Sequence, residues 1–91
     1  MSDNTTNTTK KATVTLHTAF IDLGDSREPE AEVFGSRKEA KEYLAEILEE
    51  QMEDLEITDV MDERLQNYVA VEYNGEYYIT ERTIQVELRD E

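Results

Sequence analysis

The longest stretch of regular hydrophobic spacing lies between Ser36 and Glu56, where Ala40, Tyr43, Leu44, Ile47, Leu48, Met52 and Leu55 recur at steps of three and four. That spacing gathers them on one face of an α-helix. Ser36 stands three residues before Glu39, the form of a capping box that satisfies amide donors of the first turn. Upstream the period changes. ATVTLHTAFIDL, residues 12–23, is rich in β-branched and aromatic residues, with Val14, Leu16 and Phe20 on one parity and Ile21 and Leu23 on the other. It predicts a long first strand, bulged near Ala19. GDSREP, residues 24–29, turns the chain, and EAEVF, residues 30–34, alternates as a short returning strand.

Beyond Glu56 the helical register slips, because Ile57, Val60, Met61 and Leu65 fall off the earlier stripe. Residues 59–66 are expected as a second short helix capped by Asp59, or as an irregular connection. YVAVEY, then Asn74-Gly75, then EYYITER carries the strongest hairpin signal in the chain, since Asn-Gly suits a type I′ turn with positive φ at both central residues. That turn would place Val69, Val71 and Tyr78 toward the helix and leave Tyr68, Ala70, Tyr77 and Ile79 as a second apolar surface. The second surface is a candidate contact for a homodimer or another partner. TIQVEL, residues 83–88, reads as a last strand or an extension after a kink. The expected fold is therefore α+β: an antiparallel sheet of four to five strands against one main amphipathic helix, in the order ββα(α)ββ(β).

Residues 1–11, MSDNTTNTTKK, lack any apolar pattern and are expected to be a disordered tail, leaving 12–91 as a single domain. The chain has 91 residues and no cysteine, so disulfide and thiolate chemistry are excluded and a cytoplasmic setting fits best. There is no apolar run long enough to span a membrane and no secretory leader. A net charge of −14 and a pI near 4.3 argue against nucleic acid as a direct ligand and favour a basic partner.

The charge is concentrated. Glu42, Glu46, Glu49, Glu50, Glu53, Asp54, Glu56, Asp59, Asp62 and Glu63 follow one another with no Lys or Arg between 42 and 63. Arg37, Lys38 and Lys41 stand near the start of the helix and the acids toward its end, the reverse of what the helix dipole favours. Across residues 42–56 seven acid pairs fall at i,i+3 or i,i+4, a repulsion of roughly 1.5 to 3.5 kcal/mol. A burden of that size suggests that the ten acids form a partner-binding surface.

Candidate chemistry is sparse. His17 is the only histidine and sits among threonines in a strand, the setting of a solvent-facing or hydrogen-bonded residue more than of a catalytic base. Gly24, Gly35 and Gly75 are dispersed at turns and make no phosphate-cradling loop. Carboxylates on a wet helix lack the apolar pocket that raises an acid's pKa, so no catalytic residue, cofactor or enzyme activity is expected. Asp54, Glu56, Asp59, Asp62 and Glu63 lack the alternating oxygen ligands and glycine of a calcium loop, and no metal site is expected.

Beside the plain reading of a solvated surface, as in the protein of a salt-loving organism, two readings follow from the residues. One is a nucleic-acid mimic whose carboxylates, on successive helical turns about 5.4 Å apart, occupy the basic surface of a nucleic-acid-binding protein. The other is a small adaptor or assembly protein that binds through its tyrosine-rich sheet, its acidity reflecting a high-salt environment. In overall character, a small cysteine-free chain with Glu42, Glu46, Glu49, Glu50 and Glu53 on one helix and an Asn74-Gly75 hairpin resembles the anti-CRISPR proteins and other DNA mimics of phages and mobile elements. His17-Thr18-Ala19-Phe20 with Asp22 is similar to a strand of the phage inhibitors of uracil-DNA glycosylase, although their helix-first order is not present here. The resemblance implies a stoichiometric inhibitor that blocks nucleic-acid binding by a host defence complex.

Overall fold

A computed structural model describes residues 9–53 and 56–89. Its elements are β1 (Thr9–Asp22), a single 3₁₀ turn at Gly24–Ser26, β2 (Glu30–Phe34), α1 (Arg37–Gln51), α2 (Glu63–Tyr73) and β3 (Glu76–Arg89). The class is α+β, but the sheet has three strands in the order β2-β1-β3, all antiparallel, not four to five. β1 and β3 pair over fourteen residues from Thr9↔Arg89 to Asp22↔Glu76, whereas β2 pairs only with His17–Ile21. Both registers run unbroken, so the bulge expected near Ala19 is not there. Thr9–Lys11, expected in the tail, begin the first strand; residues 1–8 of that tail lie outside the described residues.

The correction in strand number has one source. YVAVEY, expected as the first arm of a hairpin, is the C-terminal part of α2. Its apolar residues alternate as a strand would, yet Leu65, Val69 and Tyr73 also stand four apart, which is a helical stripe. Burial follows the helix: Val69 is fully buried while Val71, two residues on, is 78% exposed. Asn74-Gly75 is then a helix stop. Asn74 is left-handed, with φ 53°, and the amides of Asn74 and Gly75 both return to the Val69 carbonyl, the job of an αL cap. The second helix is also longer and later than expected, with Asp62 and not Asp59 as its cap.

Space, not φ, fixes Gly75, which lacks the positive φ expected of it in a type I′ turn. A Cβ there would lie 2.5 Å from the Asp22 carbonyl oxygen and 3.0 Å from the Leu23 Cα. Gly24 meets the same joint from the other side, at φ +63°, against the carbonyls of Tyr73 and Asn74. The end of β1 and the end of α2 are thus pressed together backbone to backbone, and glycine is what lets them approach. From that joint β3 runs without a kink to Arg89, so TIQVEL is neither a separate strand nor kinked.

α1 buries Ala40, Leu44, Ile47, Leu48 and Met52, the stripe read from the sequence; Leu55 lies outside the described residues. Ser36 Oγ accepts the Glu39 amide at 3.2 Å and donates to Glu39 Oε1 at 3.1 Å. The helix stops at Gln51, with Met52 as its C-cap, five residues short of Glu56. Glu49, Glu50 and Glu53 crowd this end, where the helix dipole and their mutual repulsion both oppose another turn. Only three of the seven acid pairs therefore lie on the helix, and the repulsion falls to roughly 0.6 to 1.5 kcal/mol.

The helices cover one face of one half of the sheet. His17, Ala19, Ile21, Leu23 and Tyr77 are buried there with α1, Val60 and Val69. Antiparallel pairing sends opposed residues to the same side, so this face also carries Ile79 and Phe34. The tyrosines are placed the other way from the hairpin expectation: Tyr77 is buried, and Tyr78 is 43% exposed on the open face.

Candidate functional site

Two helices and the connection between them carry the acidic surface. Glu42, Glu46, Glu49 and Glu50 are exposed on α1, Glu53, Glu56 and Asp59 are exposed in the connection, and Glu63 is exposed at the first turn of α2. Asp62 is half-buried, and Asp54 lies outside the described residues. The amphipathic stripe of α1 turns its acids away from the sheet because Leu44, Ile47 and Leu48 must face it. A latch then holds the connection: the Tyr77 hydroxyl donates to the Val60 carbonyl, and Val60 itself is buried. Burial pushes the Tyr77 hydroxyl up to about 12, with the charges of Asp59 and Asp62 adding to the shift.

Three of the ten acids have structural work. Asp62 caps α2, accepting the Arg64 amide at 2.8 Å, and its Oδ2 lies 2.9 Å from the Arg64 guanidinium. These hydrogen bonds hold its carboxyl below the usual range. Asp59 accepts the Met61 amide at 3.0 Å and shapes the turn. Glu50 receives Arg27 Nη1 at 3.4 Å. Arg27 also binds Glu30, and that hydrogen bond lowers the Glu30 pKa against a smaller opposing effect of burial. Tyr43 donates to the same carboxylate at 3.3 Å. The Arg27 pairing was not anticipated; its signal is a lone arginine in the turn Gly24–Pro29, in reach of an acidic helix folded back over β2.

Glu42, Glu46, Glu49, Glu53, Glu56 and Glu63 make no ion pair or side-chain hydrogen bond among the described residues. Beside them are two shallow open depressions, one between α1 and the connection (Lys41, Glu42, Ala45, Ile57, Asp59) and one against α2 (Glu56, Thr58, Asp62, Leu65, Tyr68). Both are open to solvent and lined by a mixture of acids, apolar side chains and one basic residue each. Among the described residues no group of three His, Asp or Glu side chains is arranged to hold a metal, and no helix is long and apolar enough to cross a membrane.

His17 is not solvent-facing, as one sequence reading had it. It is 8% exposed on the helix-covered face, opposite Phe34 on one side and Glu81 on the other. Its Nδ1 makes no hydrogen bond and lies 3.7 Å from Glu81 Oε1. Comparison with known proteins adds no relative: no family model matches the chain, and neither the curated proteins nor the solved structures contain a match.

Proposed function

We propose that the protein is a non-enzymatic acidic inhibitor that uses the 42–63 surface to occupy a basic nucleic-acid-binding site of another protein. The observation that carries this reading is the placement of charge. Residues 17–81 hold nineteen acids against five bases, the entire net −14, while residues 1–16 and 82–91 together hold four of each sign. A folded body with that imbalance, and with six carboxylates on its helical side unpaired among the described residues, projects a strong negative field, which steers association with a positively charged cleft. The carboxylates of α1 stand on adjoining turns of a rigid element, a polyanion of fixed geometry that can substitute for a phosphate row. A host defence complex that grips nucleic acid is a partner of the right chemistry.

The test is capture on immobilised protein from host lysate, with elution by free duplex DNA. The expected result is a basic protein released by DNA and by salt, as the Debye length shortens from about 10 Å at 0.1 M to 3 Å at 1 M. The Glu42, Glu46, Glu49 and Glu53→Gln variant, which spares the Glu50 pair with Arg27, should capture none of it. Capture that survives these substitutions, or that DNA does not compete, removes the mimic reading.

A further inference from the structure

The face of the β1–β3 ribbon opposite the helices is mainly apolar, interrupted by the Thr18–Thr80 pair and by Arg82, and among the described residues nothing lies over it. Ala12, Val14, Leu16 and Phe20 on β1 share this face with Tyr78, Ile84 and Val86 on β3, and the exposed Val33 of β2 widens it at the body end. Phe20 and Tyr78 stack at 5.0 Å. The opposite face of the outer ribbon is polar, with Thr13 opposite Gln85 and Thr15 Oγ1 3.4 Å from Thr83 Oγ1. None of residues 11–16 or 82–87 is buried. Among the described residues the outer ribbon has no layer on either face, and such a two-stranded ribbon is marginal in water, so an unbroken ribbon of this length with one mainly apolar side needs a cover.

We infer that the cover is a second copy of the chain: two ribbons pack face to face and antiparallel about a two-fold axis, each outer ribbon lying over the other copy's body-end strands. Three observations select this occupant. The stripe tapers, from Phe20 and Tyr78 at the body end to Ala12 and Val86 at the outer end, so an antiparallel partner sets small residues against large ones and keeps the layer even. The charge permits it, because the outer ribbon and termini are neutral as a whole while the bodies carry the −14. Antiparallel packing sets the centres of those bodies about 25 Å apart along the ribbon, on opposite outer faces of the paired sheets, some three Debye lengths at 0.15 M salt.

The size also suffices. Fourteen residue pairs at about 3.4 Å make a face some 48 Å long and 10 Å wide, on the order of 1,000 Å² for two copies before side-chain relief is counted. Arg82, opposite Leu16, stands on the outer strand, where its stem can lie along the stripe with the guanidinium in water. This inference is independent of the acidic-surface reading, and its test involves no other protein.

Sedimentation equilibrium up to about 100 µM at 0.15 M salt should give twice the chain mass of 10.6 kDa. Val86→Lys, at the outer end and far from the core, should weaken the dimer at least tenfold. Val14→Lys with Ile84→Lys should yield monomer, with amide-exchange protection of α1 retained as the check that the body still folds. A monomer at that concentration overturns the inference, and if it binds an apolar dye that Val86→Lys releases, the face belongs to a different protein. A dimer unaffected by all three substitutions also overturns it and places the contact on another surface such as the open edge of β3.

Discussion

The same two strands pass through two different environments. From His17 to Asp22 and from Glu76 to Glu81 they are the floor of a packed body, with Ala19, Ile21 and Tyr77 buried beneath α1 and α2. From Thr9 to Leu16 and from Arg82 to Arg89 the pairing continues in identical register, with no helix of the described residues above it. The molecule is correspondingly long, 66 × 24 × 20 Å. What separates the halves is the side-chain pattern on the helix-facing parity: His17, Ala19 and Ile21 give way to Thr15, Thr13 and Lys11, and Tyr77 and Ile79 to Thr83, Gln85 and Glu87. Backbone hydrogen bonds are common to both, so it is apolar burial that makes one half a core.

The joint between β1 and α2 is where the body can be broken most sharply. Gly75→Val drives a branched side chain into the Asp22 carbonyl and Leu23, and overpacking against backbone that cannot yield costs about 3 kcal/mol or more. At 4 to 8 °C per kcal/mol for a domain this size, the melting temperature should fall by about 12 °C or more. Gln85→Val on the polar face of the ribbon should move it by less than about 3 °C. Equal melting temperatures for the two variants would dissolve the distinction between body and ribbon.

Sequence reading captured what rests on one element and missed what rests on competition between elements. The stripe of α1, its Ser36 cap, the 30–34 strand and the two parities of β1 were legible because each follows from a single period. YVAVEY satisfied both periods at once, and only tertiary context, the fit of Val69 against Gly75 and Leu23, decided for helix. Asn74-Gly75 predicts positive φ at both residues, but only Asn74 has it, and there it ends a helix instead of turning a hairpin. Of the candidate surface, all nine described acids fall on the helices and their connection, though Glu53 and Glu56, expected on the first helix, lie in the connection because α1 ends at Gln51. The diversion of Glu50, Asp59 and Asp62 into structural bonds was hidden, since it depends on where Arg27, Met61 and Arg64 come to lie.

Adjacent tyrosines sharpen the contrast between the faces of the sheet. Tyr77→Phe removes the donor to the Val60 carbonyl and should cost about 1 to 2 kcal/mol, because the acceptor stays behind. Tyr78→Phe should cost less than about 0.5 kcal/mol. The pH dependence follows from the burial of the same hydroxyl, which, with the charges of Asp59 and Asp62, pushes its pKa up to about 12 in the folded chain against about 10 unfolded. Its contribution is therefore complete below pH 10 and is lost as the pH rises toward 12. Urea midpoints at pH 8 and pH 11 should differ more for the parent than for Tyr77→Phe, and an equal drop in both would deny the latch.

The smallest effect concerns the acids themselves. In Glu42, Glu46, Glu49 and Glu53→Gln the pairs 42/46, 46/49 and 46/50 lose their repulsion, side-chain length and helix propensity stay nearly constant, and the burden at the C-terminal end of the dipole is lifted. The variant should gain about 0.5 to 1.5 kcal/mol at low salt, and the gain should shrink toward zero near 1 M, where screening already removes the repulsion. Glu87→Gln, a single acid on the outer ribbon, offers no such gain because no helical neighbour repels it. Urea denaturation of both variants at low and high salt makes the comparison. A loss of stability in the quadruple variant would mean that these carboxylates hold the body together, and a gain indifferent to salt would assign it to propensity, leaving the repulsion that marks the surface as functional without support.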